Sequence, residues 1–144
     1  MRLTEEDRLQ TALCRLLEAH ARPDVLWHAI PNGGKRDRVE GAKLMLTGTV
    51  AGAADLFFLI DGSAHYLELK TAKGRMSADQ ERFMERVQRA WGHYHVARSL
   101  DEARDILQSI HAFRPPQGVG VRNIGASAPM TSSPREPGVS ANAG

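Results

Sequence analysis

The sequence predicts a small mixed α/β (α+β) sandwich, in which one mixed sheet is flanked by helices. Two apolar runs rich in β-forming residues flank Asp61-Gly62, a dipeptide typical of tight hairpin turns. Other segments have apolar residues at helical spacing behind Ser or Thr N-caps. These segments alternate along the chain in the order helix, strand, strand, strand, helix, strand, helix, which is the pattern of a sheet packed against helices.

The individual elements follow from capping signals and apolar spacing. Thr4 is a suitable N-cap for a helix over residues 5–20, and residues 25–30 predict the first strand. Residues 56–60 and 64–69 are the two arms of the hairpin. Ser77 and Gln80 form a capping box for the next helix, which Gly92 is expected to end. Residues 93–97 predict the last strand and residues 100–112 the last helix.

The length and composition favour one domain. The 144 residues, 42% hydrophobic and 25% charged, are typical of a globular protein, and the net charge of +2 excludes no partner class. We expect the domain at residues 1–113 and a disordered Pro/Gly/Ser/Ala-rich tail at residues 114–144. The single Cys14 excludes an intramolecular disulfide framework. The charged N-terminus and the lack of a long apolar run favour the cytoplasm.

The hairpin brings three charges to one face. If Asp61-Gly62 is a two-residue loop, paired residue numbers sum to 123 and Asp55 lies opposite Glu68. Because side chains alternate between the faces of a strand, Asp55, Glu68 and Lys70 emerge on the same side. Charges within apolar strands are costly unless a partner or a function holds them. The convergence of two carboxylates and an ammonium therefore indicates a candidate site.

Two interpretations of these charges are open from the residues alone. Asp55 and Glu68 could hold a hard divalent cation such as Mg²⁺, while Lys70 orients a water or meets charge developing on phosphorus. Glu6 could add a carboxylate from the first helix, and Gln80 could donate to a phosphate. Alternatively, Asp55 and Lys70 form an ordinary cross-strand ion pair and Glu68 is solvated at a sheet edge.

Basic residues cluster near these charges, as expected for a site that a polyanion approaches, although solvated faces are the simpler interpretation of each cluster. The candidate nucleic-acid contacts are Asn32, Lys35, Arg36, Lys73, Arg75, Arg82 and Arg86, with Arg89 on the same helical stripe. His93 and His95 share a strand face, but without a third ligand nearby in sequence we expect ordinary strand residues. Trp27 and Trp91 are expected to be packing anchors.

The ordered set of residues resembles the PD-(D/E)XK nuclease superfamily and, more narrowly, its VRR-NUC group, found in phage proteins and larger DNA-repair nucleases. The resemblance covers about residues 4–110. The matching positions are Glu6 with Gln10, Pro31-Asn32-Gly33-Gly34, Gly48 with Gly52, Asp55-Leu56, Glu68-Leu69-Lys70, Gly74, Ser77 with Gln80, and Gly92. Ala54 departs from the pattern, because proline is usual there.

The resemblance implies a restriction-endonuclease-like core and a Mg²⁺-dependent, or Mn²⁺-dependent, DNA endonuclease. Flapped or branched DNA is one candidate substrate, and the sequence does not determine the substrate structure. The resemblance also implies that Asp55, Glu68 and the Leu69 carbonyl bind the metal, that Lys70 orients the water or stabilises the transition state, and that Glu6 and Gln80 support them. Glu5, beside Glu6, is the alternative helix carboxylate. A homodimer is plausible for cutting two strands. The rival interpretations are a nucleic-acid-binding or regulatory module without turnover, and a structural subunit that docks a partner.

Overall fold

The computed structural model describes residues 1–31 and 38–115, apart from the side chain of Arg38. The described helices are α1 (Glu5–His20), α2 (Arg38–Leu46), α3 (Ala78–Arg89) and α4 (Leu100–Ser109). The described strands are β1 (Leu26–Ala29), β2 (Leu56–Ile60), β3 (Ser63–Leu69) and β4 (His93–Ala97). Within this part of the chain, no helix has the length and apolarity that crossing a bilayer requires.

The strands form one mixed sheet in the order β1-β2-β3-β4. The first three pair antiparallel, and β4 pairs parallel with β3. Leu56 lies opposite Leu67 and Ile60 opposite Ser63, which confirms the predicted hairpin register. Asp61 and Gly62 both have positive φ, at 49° and 81°, as the two central residues of this tight turn require.

The main core lies on the sheet face that α1 and α4 cover. Its buried residues come from both helices and from alternate positions of β2 and β3; they include Leu13, Leu17, Leu56, Phe58, Ile60, Leu67, Leu69, Ala103 and Leu107. On the opposite face α3 packs over part of the sheet, where the ring of Phe83 meets that of Tyr66. The charged residues of the hairpin lie on this second face.

Two predictions about local structure were wrong, and one helix was missed. Helix α2 was not predicted, because Val39, Met45 and Leu46 are exposed and the helix shows no apolar periodicity that would reveal it. Trp91 is 93% exposed and is no packing anchor: it takes the left-handed conformation after α3, with φ of 61°. The last helix ends at Ser109 rather than at residue 112.

Gly92 is required for packing rather than for a positive φ. A Cβ atom at Gly92 would lie 2.9 Å from Cγ1 of Val87, so β4 could not start this close to α3.

The first residue of the predicted tail is hydrogen-bonded to the domain, because the Arg114 amide donates to the His20 carbonyl at 3.0 Å. Residues 116–144 of that tail lie outside the described residues.

Candidate active site

Asp55 and Glu68 face each other at the end of the β2–β3 hairpin. Asp55 directly precedes β2, and the register that pairs Leu56 with Leu67 continues to Asp55 and Glu68. The Asp55 carbonyl accepts from the Ile30 amide at 2.8 Å and so points toward β1. Asp55 and Glu68 therefore form a non-hydrogen-bonded pair, the type in which opposite side chains approach most closely.

Glu68 is buried at the centre of the sheet, with 2% of its surface exposed. Its Oε1 lies 3.1 Å from the ammonium nitrogen of Lys70 and accepts from the Gln80 side-chain amide. Gln80 also closes the predicted capping box, because its Oε1 accepts from the Ser77 amide at 2.8 Å. The alternative of an Asp55–Lys70 ion pair with a solvated Glu68 is wrong: Lys70 pairs with Glu68, and Glu68 is shielded from solvent.

The second oxygen of Glu68 lacks a hydrogen-bond partner among the described residues. Oε2 is buried, yet it makes no hydrogen bond within the described part of the chain. Buried carboxylate oxygens are normally hydrogen-bonded, because an unpaired one retains the full cost of desolvation. A buried, unpaired carboxylate oxygen is therefore an observation that a bound group, or a small shift of the neighbouring Tyr94 hydroxyl toward Glu68, would explain.

Asp55 is oriented by the backbone of the next strand. Its Oδ2 accepts from the Leu69 amide at 2.7 Å. In a strand the amide and carbonyl of one residue point toward the same neighbour, so the Leu69 carbonyl also faces the Asp55 side. Both carboxylates line a cleft of about 390 Å³, together with Glu6, Lys70 and Gln80.

The carboxylates of this cleft make ionisation of their neighbours unfavourable. Burial and the Asp55 charge raise the pKa of Glu68 to about 7, although Lys70 opposes the shift. Burial also raises the pKa of Asp55; Glu6 adds to this effect, while the Leu69 amide and Lys70 oppose it. Glu6, rather than Glu5, is thus the helix carboxylate whose charge reaches the pair. Three carboxylates face one lysine, so the cleft attracts a cation.

The residues present fit a hard divalent cation. The donor set is the two carboxylates of Asp55 and Glu68 with the Leu69 carbonyl, all oxygen, as Mg²⁺ and Mn²⁺ prefer. Nowhere in the described residues do three or more His, Cys, Asp or Glu side chains form a metal-holding group. An ion at Asp55 and Glu68 would therefore depend on the backbone carbonyl and on water for its remaining ligands.

Tyr94 is a residue of this site that the sequence did not reveal. Its position in β4 pairs with Tyr66, two residues before Glu68, so its side chain lies on the carboxylate face. Its hydroxyl is buried near the Glu68 carboxylate but, like Glu68 Oε2, falls short of hydrogen-bond geometry with any described residue. Burial and the charges of Glu68 and Asp55 raise the pKa of Tyr94. Only the parallel pairing of β3 with β4 places it there, and a hairpin pattern carries no signal for that pairing.

The predicted nucleic-acid contacts are not all in one place. Asn32, Lys35 and Arg36 lie outside the described residues. Lys73 and Arg75 are exposed on the loop after β3, Arg82 pairs with Asp79, and Arg86 lines a groove beside α3. Arg98, which sequence reasoning missed, anchors that loop by donating to the carbonyls of Thr71 and Gly74 at 2.9 and 2.6 Å.

The histidines of β4 lie on the opposite face of the sheet, where His93 is exposed and His95 is half-buried. His65 of β3 joins them: its Nδ1 lies 3.1 Å from Nε2 of His95, and its ring stacks on that of His93 at a centroid distance of 4.5 Å. The donor orbitals of a histidine nitrogen lie in the ring plane, so stacked rings do not point at a common ion. The group is a stacked, hydrogen-bonded cluster.

Comparison with known proteins identifies the fold. No protein-family model matches the chain, and no curated protein matches it. A solved structure described as a VRR_NUC domain protein matches with a TM-score of 0.63 at 20% identity, over 76% of this chain and 90% of its own. This chain has the VRR-NUC fold.

The match to a VRR_NUC domain structure confirms the predicted fold class and the predicted likeness in fold to VRR-NUC proteins. Four helices around a four-stranded mixed sheet are described, and the charged hairpin lies at the centre of that sheet. At 20% identity the match concerns the fold, so the roles of individual residues stay predictions that depend on the geometry of this cleft.

Proposed function

We propose that this protein is a metal-dependent nuclease that hydrolyses DNA phosphodiester bonds in the cleft around Asp55 and Glu68. The likeness of its fold to a VRR_NUC domain protein supports a nuclease domain. The observation that carries the proposal is the buried Glu68, whose Oε1 lies 3.1 Å from Lys70 while its Oε2 has no partner in the described residues. Such an arrangement is costly in an apolar sheet and useful for phosphate chemistry.

Each side chain of the cleft has a distinct proposed role. Lys70 is close enough to Glu68 to be held in one orientation, so its ammonium can position a water for attack or meet negative charge on the phosphate. Gln80 fixes Glu68 from the first turn of α3, and Glu6 adds negative charge from α1. Asp55 is held by the Leu69 amide.

Mg²⁺ or Mn²⁺ would be held by Asp55, Glu68 and the Leu69 carbonyl. Bound there, the ion supplies a Lewis acid that polarises the scissile phosphate and lowers the pKa of water. A cation bound among these carboxylates would attract a negatively charged substrate such as DNA. The proposed substrate is therefore a polyanion rather than a neutral ester. A flapped or branched DNA is the proposed substrate, and a second copy of the chain would be needed to cut both strands of a duplex.

Cleavage assays test the proposal directly. Labelled linear, flapped and four-way DNA are incubated with the protein in Mg²⁺, Mn²⁺ or EDTA. We expect cleavage with either ion, none in EDTA, and losses of about a hundredfold or more in Glu68→Gln and Lys70→Ala, because each removes several kcal/mol of transition-state stabilisation. Asp101→Asn is the matched control, since Asp101 pairs with Arg104 on α4, on the other side of the sheet.

Metal binding is measured independently of cleavage by the change in melting temperature. Mn²⁺ should raise the melting temperature of the wild type and of Asp101→Asn, but not that of Glu68→Gln, because a ligand stabilises only the folded state that binds it. Cleavage that survives EDTA or both active-site substitutions would refute the mechanism. DNA binding without cleavage under every metal condition would favour the non-catalytic binding module instead.

A further inference from the structure

A row of rings crosses the sheet on the carboxylate face. The ring centroids of His28 and Phe57 are 5.4 Å apart, those of Phe57 and Tyr66 5.1 Å, and those of Tyr66 and Phe83 5.2 Å. Helix α3 covers the Tyr66 end of the row. The other end is open: His28 is exposed and Phe57 is half-buried.

The open end is part of a larger uncovered apolar surface. Leu26 and Leu59 pair across β1 and β2 on the same face as Phe57, and they are 57% and 40% exposed. Leu26 begins the edge strand β1 and Leu59 lies near the hairpin turn, and neighbouring exposed apolar side chains of this kind often mark a binding surface. An uncovered patch beside a candidate active site indicates a bound partner.

The ring row lies one step from the carboxylates. Phe57 follows Asp55 by two residues and Tyr66 precedes Glu68 by two residues, so the rings lie about 7 Å along the strands from the two carboxylates. A single nucleotide spans a comparable distance from its phosphate to its base. A phosphate at the carboxylates would therefore carry its base toward His28 and Phe57.

Positive charge lies at the α3 end of the ring row, on the other side of Tyr66 from Phe57 and His28. Arg86 and Arg89 line a groove of about 530 Å³ whose floor includes Ala64 and Tyr66. Arg89 lies 3.8 Å from Glu85, whereas Arg86 makes no ion pair with any described residue. Ring faces next to arginines are the combination that binds single-stranded nucleic acid, because bases stack on the rings while cations meet the phosphates.

We propose that His28 and Phe57 form a stacking site for the base of an unpaired nucleotide whose phosphate lies at Asp55 and Glu68. The inference rests on the proposed nuclease function and narrows its substrate to DNA with a single-stranded segment at the cut. A base within a duplex is stacked between its neighbours and cannot lie flat on these rings. A nucleobase, rather than a second copy of the chain, is the proposed occupant of the open face, because the rings lie about 7 Å along the strands from the carboxylates.

Binding without cleavage isolates this site. With Ca²⁺ in place of Mg²⁺, so that a hard cation can occupy the oxygen ligands, the anisotropy of a labelled oligothymidylate is compared with that of an oligomer of equal length made of abasic sites. We expect Phe57→Leu to weaken oligothymidylate binding about fivefold to tenfold, the lower part of the range for one stacked base, and to leave abasic binding unchanged. His28→Ala, a milder change at an exposed position, should act in the same direction, whereas His20→Ala on the end of α1 should have no effect.

The outcomes separate this inference from the proposed function. If the wild type cleaves DNA but both variants bind oligothymidylate as the wild type does, the stacking site is refuted and the nuclease stands. If Phe57→Leu loses base-dependent binding but the wild type never cleaves, the stacking site stands and the nuclease fails. If the wild type is a dimer that Leu59→Glu dissociates, with oligothymidylate binding unchanged, the face is a subunit interface and the inference is overturned.

Discussion

Gly52 lets the loop that carries Asp55 approach the start of α3. Its φ is +71°, and a Cβ atom there would lie 2.5 Å from the backbone nitrogen of Gln80 and closer still to the backbone of Asp79. These are main-chain atoms in the first turn of a helix that Ser77 and Gln80 cap, so they cannot rotate out of the way. Replacing Gly52 by alanine must therefore move the loop, the helix or both.

The cost of Gly52→Ala has two parts. A left-handed φ costs an L-residue about 1–2 kcal/mol, and a new atom pressed against a fixed backbone adds about 1–3 kcal/mol. We expect the free energy of unfolding to fall by about 2–5 kcal/mol. Gly48 provides the matched control: its φ is +95°, but a Cβ atom there meets nothing within 4 Å. Gly48→Ala should therefore lose only the conformational part, about 1–2 kcal/mol.

Urea denaturation at constant pH measures both losses, and DNA cleavage measures the functional effect. Because moving the loop separates Asp55 from Glu68 and Gln80, Gly52→Ala should lose cleavage under conditions where it is still folded, and Gly48→Ala should retain it. Equal destabilisation of the two variants, or full activity of Gly52→Ala, would refute the close approach.

Three further predictions concern other parts of the molecule. Tyr94→Phe should leave the free energy of unfolding within about 1 kcal/mol of the wild type or raise it, because the hydroxyl it removes is buried and unpaired; a larger loss in urea denaturation would mean that Glu68 binds that hydroxyl. Burial beside two other histidines lowers the pKa of His65 to about 4, against 6.5 in the unfolded chain. Neutral His65 therefore contributes its full share to the free energy of unfolding above about pH 6.5. That share is lost as the pH falls toward 4, because the unfolded state binds the proton first. We expect the wild type to lose about 1.3 kcal/mol more than His65→Gln between about pH 7.5 and about pH 5.5, and parallel losses would contradict the shift. Leu13→Ala removes a fully buried side chain from the main core and should cost about 3–5 kcal/mol, whereas a loss below about 1 kcal/mol would show that this core position is not tightly packed.

Local patterns accounted for the hairpin and for most helix starts. The Asp61-Gly62 turn and the two-residue alternation of strands act over a few residues, so they determine without further information that Asp55, Glu68 and Lys70 share a face. Thr4 and Ser77 cap their helices as predicted, because capping needs only the first turn. Where local patterns were weak they failed, as in α2.

The tertiary structure decided how the charges of that face are paired. Whether Lys70 meets Glu68 or Asp55, and whether Glu5 or Glu6 reaches the cleft, depends on how α1 and α3 pack over the sheet. Such packing is set by the whole core rather than by neighbours in sequence.

The most distant pairings carried the least sequence signal. The parallel pairing of β3 with β4 brings Tyr94 toward Glu68 and His65 against His95, and residues 26–30 positions apart meet only when the crossover through α3 has formed. Sequence alone therefore determined which residue types share the carboxylate face. The fold decided that Glu68 is buried with one oxygen unpaired, because only a completed sheet can exclude solvent from a carboxylate.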